Sequence, residues 1–180
     1  SFPTRRSSDL IPKNNKSLAV KVATMNAVKK ALSAGADYVY LGAEVSPVRG
    51  EGWTKEDLQD AVDMAHDMGR KIAYGTPRIC TSRELSEIEW LFDIGSRVGV
   101  DGILVHNLGA IHCAKQFDLD MFADFSFNIL NTGSIEMLEK LGVKRVTSSI
   151  ESSFNDLEKL AILSTLPVES IVHGSLPSML

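Results

Sequence analysis

The chain has 180 residues, 44% of them apolar and 23% charged, and carries a formal net charge of −4. It is long enough for one domain with a sizeable core, and its composition is ordinary for a globular domain. These figures exclude a membrane-spanning helix, since no apolar run approaches the roughly 20 residues one needs. They also give no bulk electrostatic support to a nucleic-acid partner.

Residues 1–10, SFPTRRSSDL, carry two arginines with no apolar stretch behind them, so a signal peptide is not expected. This segment matches one reading frame of a common sequencing adapter and is read as a non-native scar. Residues 11–180 are then expected to form an incomplete barrel domain. Cys80 and Cys113 lack metal-site or redox spacing, which suggests a reducing compartment and a cytoplasmic protein.

From residue 18 onward one pattern recurs: an amphipathic helix, a glycine, a polar residue and a short apolar strand. It is seen at Gly35 before Tyr38-Val39-Tyr40-Leu41, at Gly99 before Ile103-Leu104-Val105, and at Gly142 before Arg145-Val146-Thr147. Thr24 precedes a helix with Ala27, Val28, Ala31 and Leu32 on one face. Thr54 opens another, with Leu58, Ala61, Val62 and Ala65 inward. Thr81 and Glu84 have the spacing of a capping box before a third. Strands are expected at 18–23, 38–42, 72–76, 103–107, 121–129, 145–150 and 169–174. Short apolar strands alternating with helices signal parallel βαβ units. The expected fold is therefore α/β, a TIM-type (β/α)8 barrel truncated to about seven units. A doubly wound sheet is the alternative, but no GxGxxG follows the first strand.

In such a barrel the C-terminal strand ends carry the chemistry. They supply Glu44, then Arg78, then His106 and Asn107, then Asp124, Ser126 and Asn128, then Glu151, and last His173. Period two along 123–129 predicts that Asp124, Ser126 and Asn128 share the inner face of a strand, opposite the aromatics. They either satisfy one another internally or line a ligand cavity. His173 is expected on the inner face of the seventh strand with Glu169 and Ile171. As a strand histidine it is a satisfied core group or a catalyst. His66 and His112 fall in helices and are read as surface or packing residues. Arg78 suits a carboxylate or phosphate, or else a salt bridge to Glu44 or Glu151. Those two carboxylates are a candidate acid and base. No GxSxG elbow, HExxH helix or Walker A loop is present.

The stretch Ala34-Gly35-Ala36-Asp37-Tyr38-Val39-Tyr40-Leu41-Gly42 resembles a block of the collagenase-like peptidases, the unassigned-type peptidase family thirty-two. Val100 to Val105 with Leu108-Gly109, Phe127-Asn128 with Asn131, and Val172-His173-Gly174-Ser175-Leu176 continue the series in order. Thr76-Pro77-Arg78-Ile79 and Pro177 are similar to one subgroup. The resemblance implies a peptidase-like enzyme, for which the strand ends offer Glu44, Glu151 and His173 as catalytic candidates. Arg78, His106, Asn107, Asp124, Ser126 and Asn128 are the candidates for substrate binding. It implies as an alternative an oxygen-independent hydroxylase of RNA or a small aromatic substrate. Its iron–sulfur cluster would sit on cysteines beyond Leu180, with no cofactor expected within residues 1–180. A third expectation is a non-catalytic binding module, paired with a second barrel protein or domain. The expected partners are a peptide, RNA or small molecule, and not a membrane.

Overall fold

The computed structural model describes residues 16–42, 53–78 and 85–174. Seven strands form one parallel sheet in the order β1 to β7. They are β1 Ala19–Val22, β2 Tyr38–Leu41, β3 Lys71–Gly75, β4 Gly102–Val105, β5 Met121–Ala123, β6 Val143–Thr147 and β7 Val168–Glu169. Between them run α1 Met25–Ser33, α2 Lys55–Asp67, α3 Leu85–Val98, α4 Leu108–Ala114, α5 Thr132–Lys140 and α6 Phe154–Leu163. Consecutive strands are always neighbours, which is the topology of a β/α barrel. The fold expected from the sequence is the one observed. Among the described residues no helix is long and apolar enough to cross a membrane.

The local signals act as expected. Thr24 caps α1 by accepting from the Ala27 N–H at 3.3 Å. Thr54 and Asp57 form a capping box at α2, each side chain accepting from the other's backbone N–H. Helix ends turn into strands at Gly35, Gly99 and Gly142, with φ of 95°, 80° and 98°. The capping pair Thr81 and Glu84 lies outside the described residues, as do residues 1–10, Ile79, Cys80 and residues 175–180.

The sheet has two unlike faces. On the outer one, Val39, Leu41, Ile72, Ile103, Val105 and Val146 pack against Val28, Leu32, Leu58, Val62, Ile111 and Ile135 of the helices. This is the main core. On the inner face, Tyr40, Ala73, Leu104 and Phe122 form a smaller buried cluster, with Ala19 and Tyr38 against it. Gly102 belongs to this interior for a steric reason. A Cβ there would lie 2.6 Å from Phe122 Cε2 and 2.7 Å from the Asp120 carbonyl oxygen. The ring of Phe122 fills the space that any larger residue would need.

Two expected strands are shorter than the sequence pattern suggested. β5 stops at Ala123, and Phe125–Phe127 form a single 3-10 turn. The Phe127 N–H donates to the Asp124 carbonyl at 3.2 Å, and the Asn128 N–H to the Phe125 carbonyl at 2.9 Å. Asn128 then takes the left-handed conformation, φ 50°, which Asn tolerates better than most residues. The polar trio therefore does not share one strand face: Asp124 is buried, Ser126 half-buried and Asn128 exposed. β7 has two residues, and Ile171 and His173 beyond it are exposed. His173 is therefore not an inward strand histidine.

Candidate functional site

The strand ends bring one compact polar group together. β3 leads into Thr76, Pro77 and Arg78, β4 into His106, and β5 into Asp124. The three central residues are buried, with Thr76 2%, His106 4% and Asp124 5% exposed. His106 Nδ1 lies 3.2 Å from Thr76 Oγ1. Its Nε2 lies 3.3 Å from Asp124 Oδ2, yet out of line, so that Nε2 has no hydrogen-bond partner among the described residues. Ser126 Oγ donates to the same Asp124 oxygen at 3.0 Å. The Arg78 guanidinium sits over the Phe125 ring, 5.2 Å from its centre, a cation–π placement that fixes a flat cation beside the imidazole.

Burial pushes the His106 imidazole well below its ordinary pKa. The Asp124 carboxylate opposes that shift, while the charges of Lys21 and Arg78 reinforce it. The ring is therefore neutral at neutral pH and carries one proton. Thr76 can donate either to the Leu104 carbonyl at 3.4 Å or to His106 Nδ1 at 3.2 Å. The Thr76 contact suits either tautomer, and the carboxylate beside Nε2 favours the one with the proton on Nε2. His106 Nε2–H and the Arg78 guanidinium then offer donors to a carbonyl, phosphate or carboxylate oxygen. A hydroxyl, an imidazole and a carboxylate come together here, but the hydroxyl is shared with the Leu104 carbonyl and the carboxylate is out of line with Nε2, so Thr76 is not set up as an activated nucleophile.

Other expected site residues do different work. Asn107 Oδ1 caps α4 by accepting from the Ala110 N–H at 2.8 Å, and its Nδ2 donates to the Arg78 carbonyl at 3.4 Å. It supports the Arg78 loop. Ser149 Oγ donates to Asn128 Oδ1, and the Glu151 N–H donates to Ser149 Oγ at 3.2 Å. The Glu151 side chain is exposed, as is His173. Glu44 lies outside the described residues, so the expected acid–base pair has no described geometry. Phe125 and Thr76 complete the site and were not singled out for it. For Phe125, the alternation of 123–129 placed the ring on the wrong side.

A second polar group sits deeper inside the barrel. Glu169 Oε1 accepts from Tyr40 Oη at 2.7 Å and from Arg145 Nη1 at 2.8 Å. The Arg145 guanidinium lies 3.8 Å from the centre of the Tyr38 ring and 5.4 Å from that of Phe122. Burial and the Glu169 carboxylate both push the Tyr40 phenol far up, so it remains a donor. Sequence reasoning passed over Arg145, because period two groups it with Val143 of the main core, and the register shift opposite Met121 and Phe122 that turns it inward leaves no sequence trace.

Among the described residues no group of three or more His, Cys, Asp or Glu is placed to hold a metal ion. Cys113 is buried on α4, and its thiol is pushed up by burial and by Glu89. The described residues thus do not fit an iron–sulfur cluster, which needs thiolate ligands. A shallow groove of about 240 Å³ between α4 and α5 is lined by Leu108, Ile111, His112, Lys115, Met137 and Leu141.

Seven parallel strands in consecutive order, covered by helices, define the class as a β/α barrel. Within that class the chain belongs to Peptidase family U32, whose model matches residues 23–180. An uncharacterized protease of Methanocaldococcus jannaschii is 27% identical over 159 residues, 84% of this chain and 39% of that protein. A tRNA hydroxylation protein P of Helicobacter pylori is 27% identical over 169 residues, 91% of this chain and 40% of that protein. The chain thus spans about two fifths of the length of the curated relatives it matches. A solved U32 peptidase structure overlays with a TM-score of 0.65 at 14% identity, covering 88% of this chain and 70% of that one. At that identity the overlay speaks to fold.

Proposed function

We propose that this chain is the substrate-holding barrel of an RNA-hydroxylating enzyme, with the substrate seated at the Thr76–His106–Asp124 mouth. The observation that carries the reading is the pair of donors there. A neutral, buried His106, whose Nε2 has no hydrogen-bond partner among the described residues, stands beside an Arg78 guanidinium placed over Phe125. A flat cation and a single N–H suit a nucleobase carbonyl and its flanking phosphate. The curated relatives named for tRNA hydroxylation in Helicobacter pylori and Escherichia coli support the same direction. A peptidase reading would need an activated nucleophile or a catalytic carboxylate pair. The buried Thr76 hydroxyl and the exposed Glu151 give it less support.

In this account Arg78 holds the anionic group, His106 donates to a base oxygen, and Asp124 keeps the Nε2 tautomer in place. The test is nucleoside analysis by mass spectrometry. tRNA would be taken from cells lacking the complete protein and carrying it back as wild type or Arg78→Ala. The wild type should restore a hydroxylated nucleoside, and Arg78→Ala should lower its level at least tenfold. An unchanged nucleoside profile on deletion, with protein cleavage by the purified enzyme, would establish the peptidase reading instead.

A further inference from the structure

β7 is weakly held by the forces that hold the other strands. It has two residues, paired with β6 only at Val146↔Val168 and Thr147↔Glu169. The helix before it packs thinly as well: Leu160 is the buried residue of α6, while Phe154 is 81% and Leu163 64% exposed. A two-residue parallel ladder with half-buried side chains contributes little on its own. Yet the strand is placed, and one side chain on it makes the long-range contacts. Glu169 reaches across the barrel interior to Tyr40 on β2, 129 residues away in the chain, and to Arg145 on β6. β2 and β7 are not sheet neighbours. The carboxylate therefore ties the far edge of the sheet to its opposite side through the middle.

We propose that Glu169, Arg145 and Tyr40 form a cross-barrel brace, with Glu169 as the positioning residue that anchors β7 and the segment leading to His173. The arrangement is well suited to this. Both of its polar partners converge on one oxygen, and the Arg145 guanidinium lies over the Tyr38 ring beside Phe122, which meets Tyr38 edge to face, and this restricts where the guanidinium can sit. Its side chain is 12% exposed and that of Glu169 20%, so solvent offers a poor substitute for the pairing. Tyr40 is fixed by the inner cluster and provides the far attachment point. The brace does not depend on which substrate occupies the mouth.

Hydrogen exchange of the complete protein tests it, because the brace makes a local claim. The Ser148 N–H donates to the Glu169 carbonyl and the Val146 N–H to the Pro167 carbonyl, so peptides over 143–149 report directly on β7. Glu169→Gln or Arg145→Met should speed exchange there about tenfold or more, and by clearly more than in β2 to β4. Combining the two should speed it by much less than the product of the single effects, since the second change removes an orphaned partner. Tyr40→Phe, which keeps the ring, should give a smaller local increase of about threefold. Unchanged exchange at 143–149, equal acceleration in every strand, or single effects that multiply would each overturn the brace.

Discussion

Two polar groups lie inside this barrel, and they differ in how completely they are paired. In the deeper one, the carboxylate of Glu169 meets a phenol and a guanidinium, and that guanidinium lies over the Tyr38 ring with Phe122 beside it. At the mouth, the His106 imidazole is more deeply buried, but its Nε2 has no hydrogen bond among the described residues. Buried polar groups are nearly always satisfied, so a satisfied cluster reads as structure and an orphaned donor as a place held for something else. The lesson is that burial alone does not separate a structural from a functional cluster. An unmatched atom adds to the case where it lies at the strand ends beside other polar groups; among the described residues Tyr74 Oη and Ser152 Oγ are also unmatched, and Tyr74 belongs to the main core.

Breaking the satisfied layer should have the largest effect on stability. Arg145→Met leaves the poorly hydrated Glu169 carboxylate with no cation, only the Tyr40 hydroxyl, and should cost about 3 kcal/mol in denaturant unfolding. A cost below about 1 kcal/mol would mean that the layer is not structural. Gly102→Ala should follow, because its Cβ would meet the Phe122 ring, which sits against Arg145. Overpacking of this kind costs about 1–3 kcal/mol. A cavity-making companion change, Phe122→Leu, should recover part of that loss if the ring is the obstacle.

The mouth should behave differently. His106→Leu removes an incompletely paired polar group and should change stability by less than about 1 kcal/mol, while substrate modification is lost. Its pH signature has a definite sign. Burial lowers the folded-state pKa of His106 below the unfolded value of about 6.5, so the unfolded chain takes up the proton first as pH falls. Stability should be intact above that value and decline below it, by up to about 1.4 kcal/mol per pH unit. Urea midpoints between about pH 5 and 7 should show this decline in the wild type and a flatter profile in His106→Leu.

The smallest effect is expected at the opposite end of the barrel. Asp101 Oδ2 accepts from the Ile72 N–H at 2.9 Å and lies 3.0 Å from His66 Nε2. Burial raises its pKa, but the Ile72 N–H, His66 and Lys71 outweigh it and hold the carboxyl below the usual range. Its contribution is thus present above about pH 4 and fades as pH falls further. Asp101→Asn should cost about 1 kcal/mol at neutral pH, with no change at the mouth. A loss of substrate modification in that variant would blur the distinction between structural and functional groups.

Much of the fold was legible because its signals are local. Thr24 and Thr54 cap helices whose apolar faces can be counted off, and glycines close the helices before the strands. The candidate site was legible in part, since position in a barrel drew attention to Arg78, His106 and Asp124. What stayed hidden depends on distance or on degenerate patterns. Alternation across 123–129 fits a strand and a 3-10 turn equally well, so Asn128 and Phe125 were misplaced. The pairing of Glu169 with Tyr40 spans 129 residues and leaves no local trace. His173 looked inward only while its strand was taken to run to residue 174.

The most direct test of the central claim uses the complete protein carrying His106→Leu, with hydroxylated nucleosides of cellular tRNA quantified beside the protein's unfolding midpoint. The account predicts a folded protein with near wild-type stability and tRNA lacking the modified nucleoside. Full restoration of the nucleoside by that variant would contradict it, because the unpartnered nitrogen at the mouth would then have no part in holding substrate.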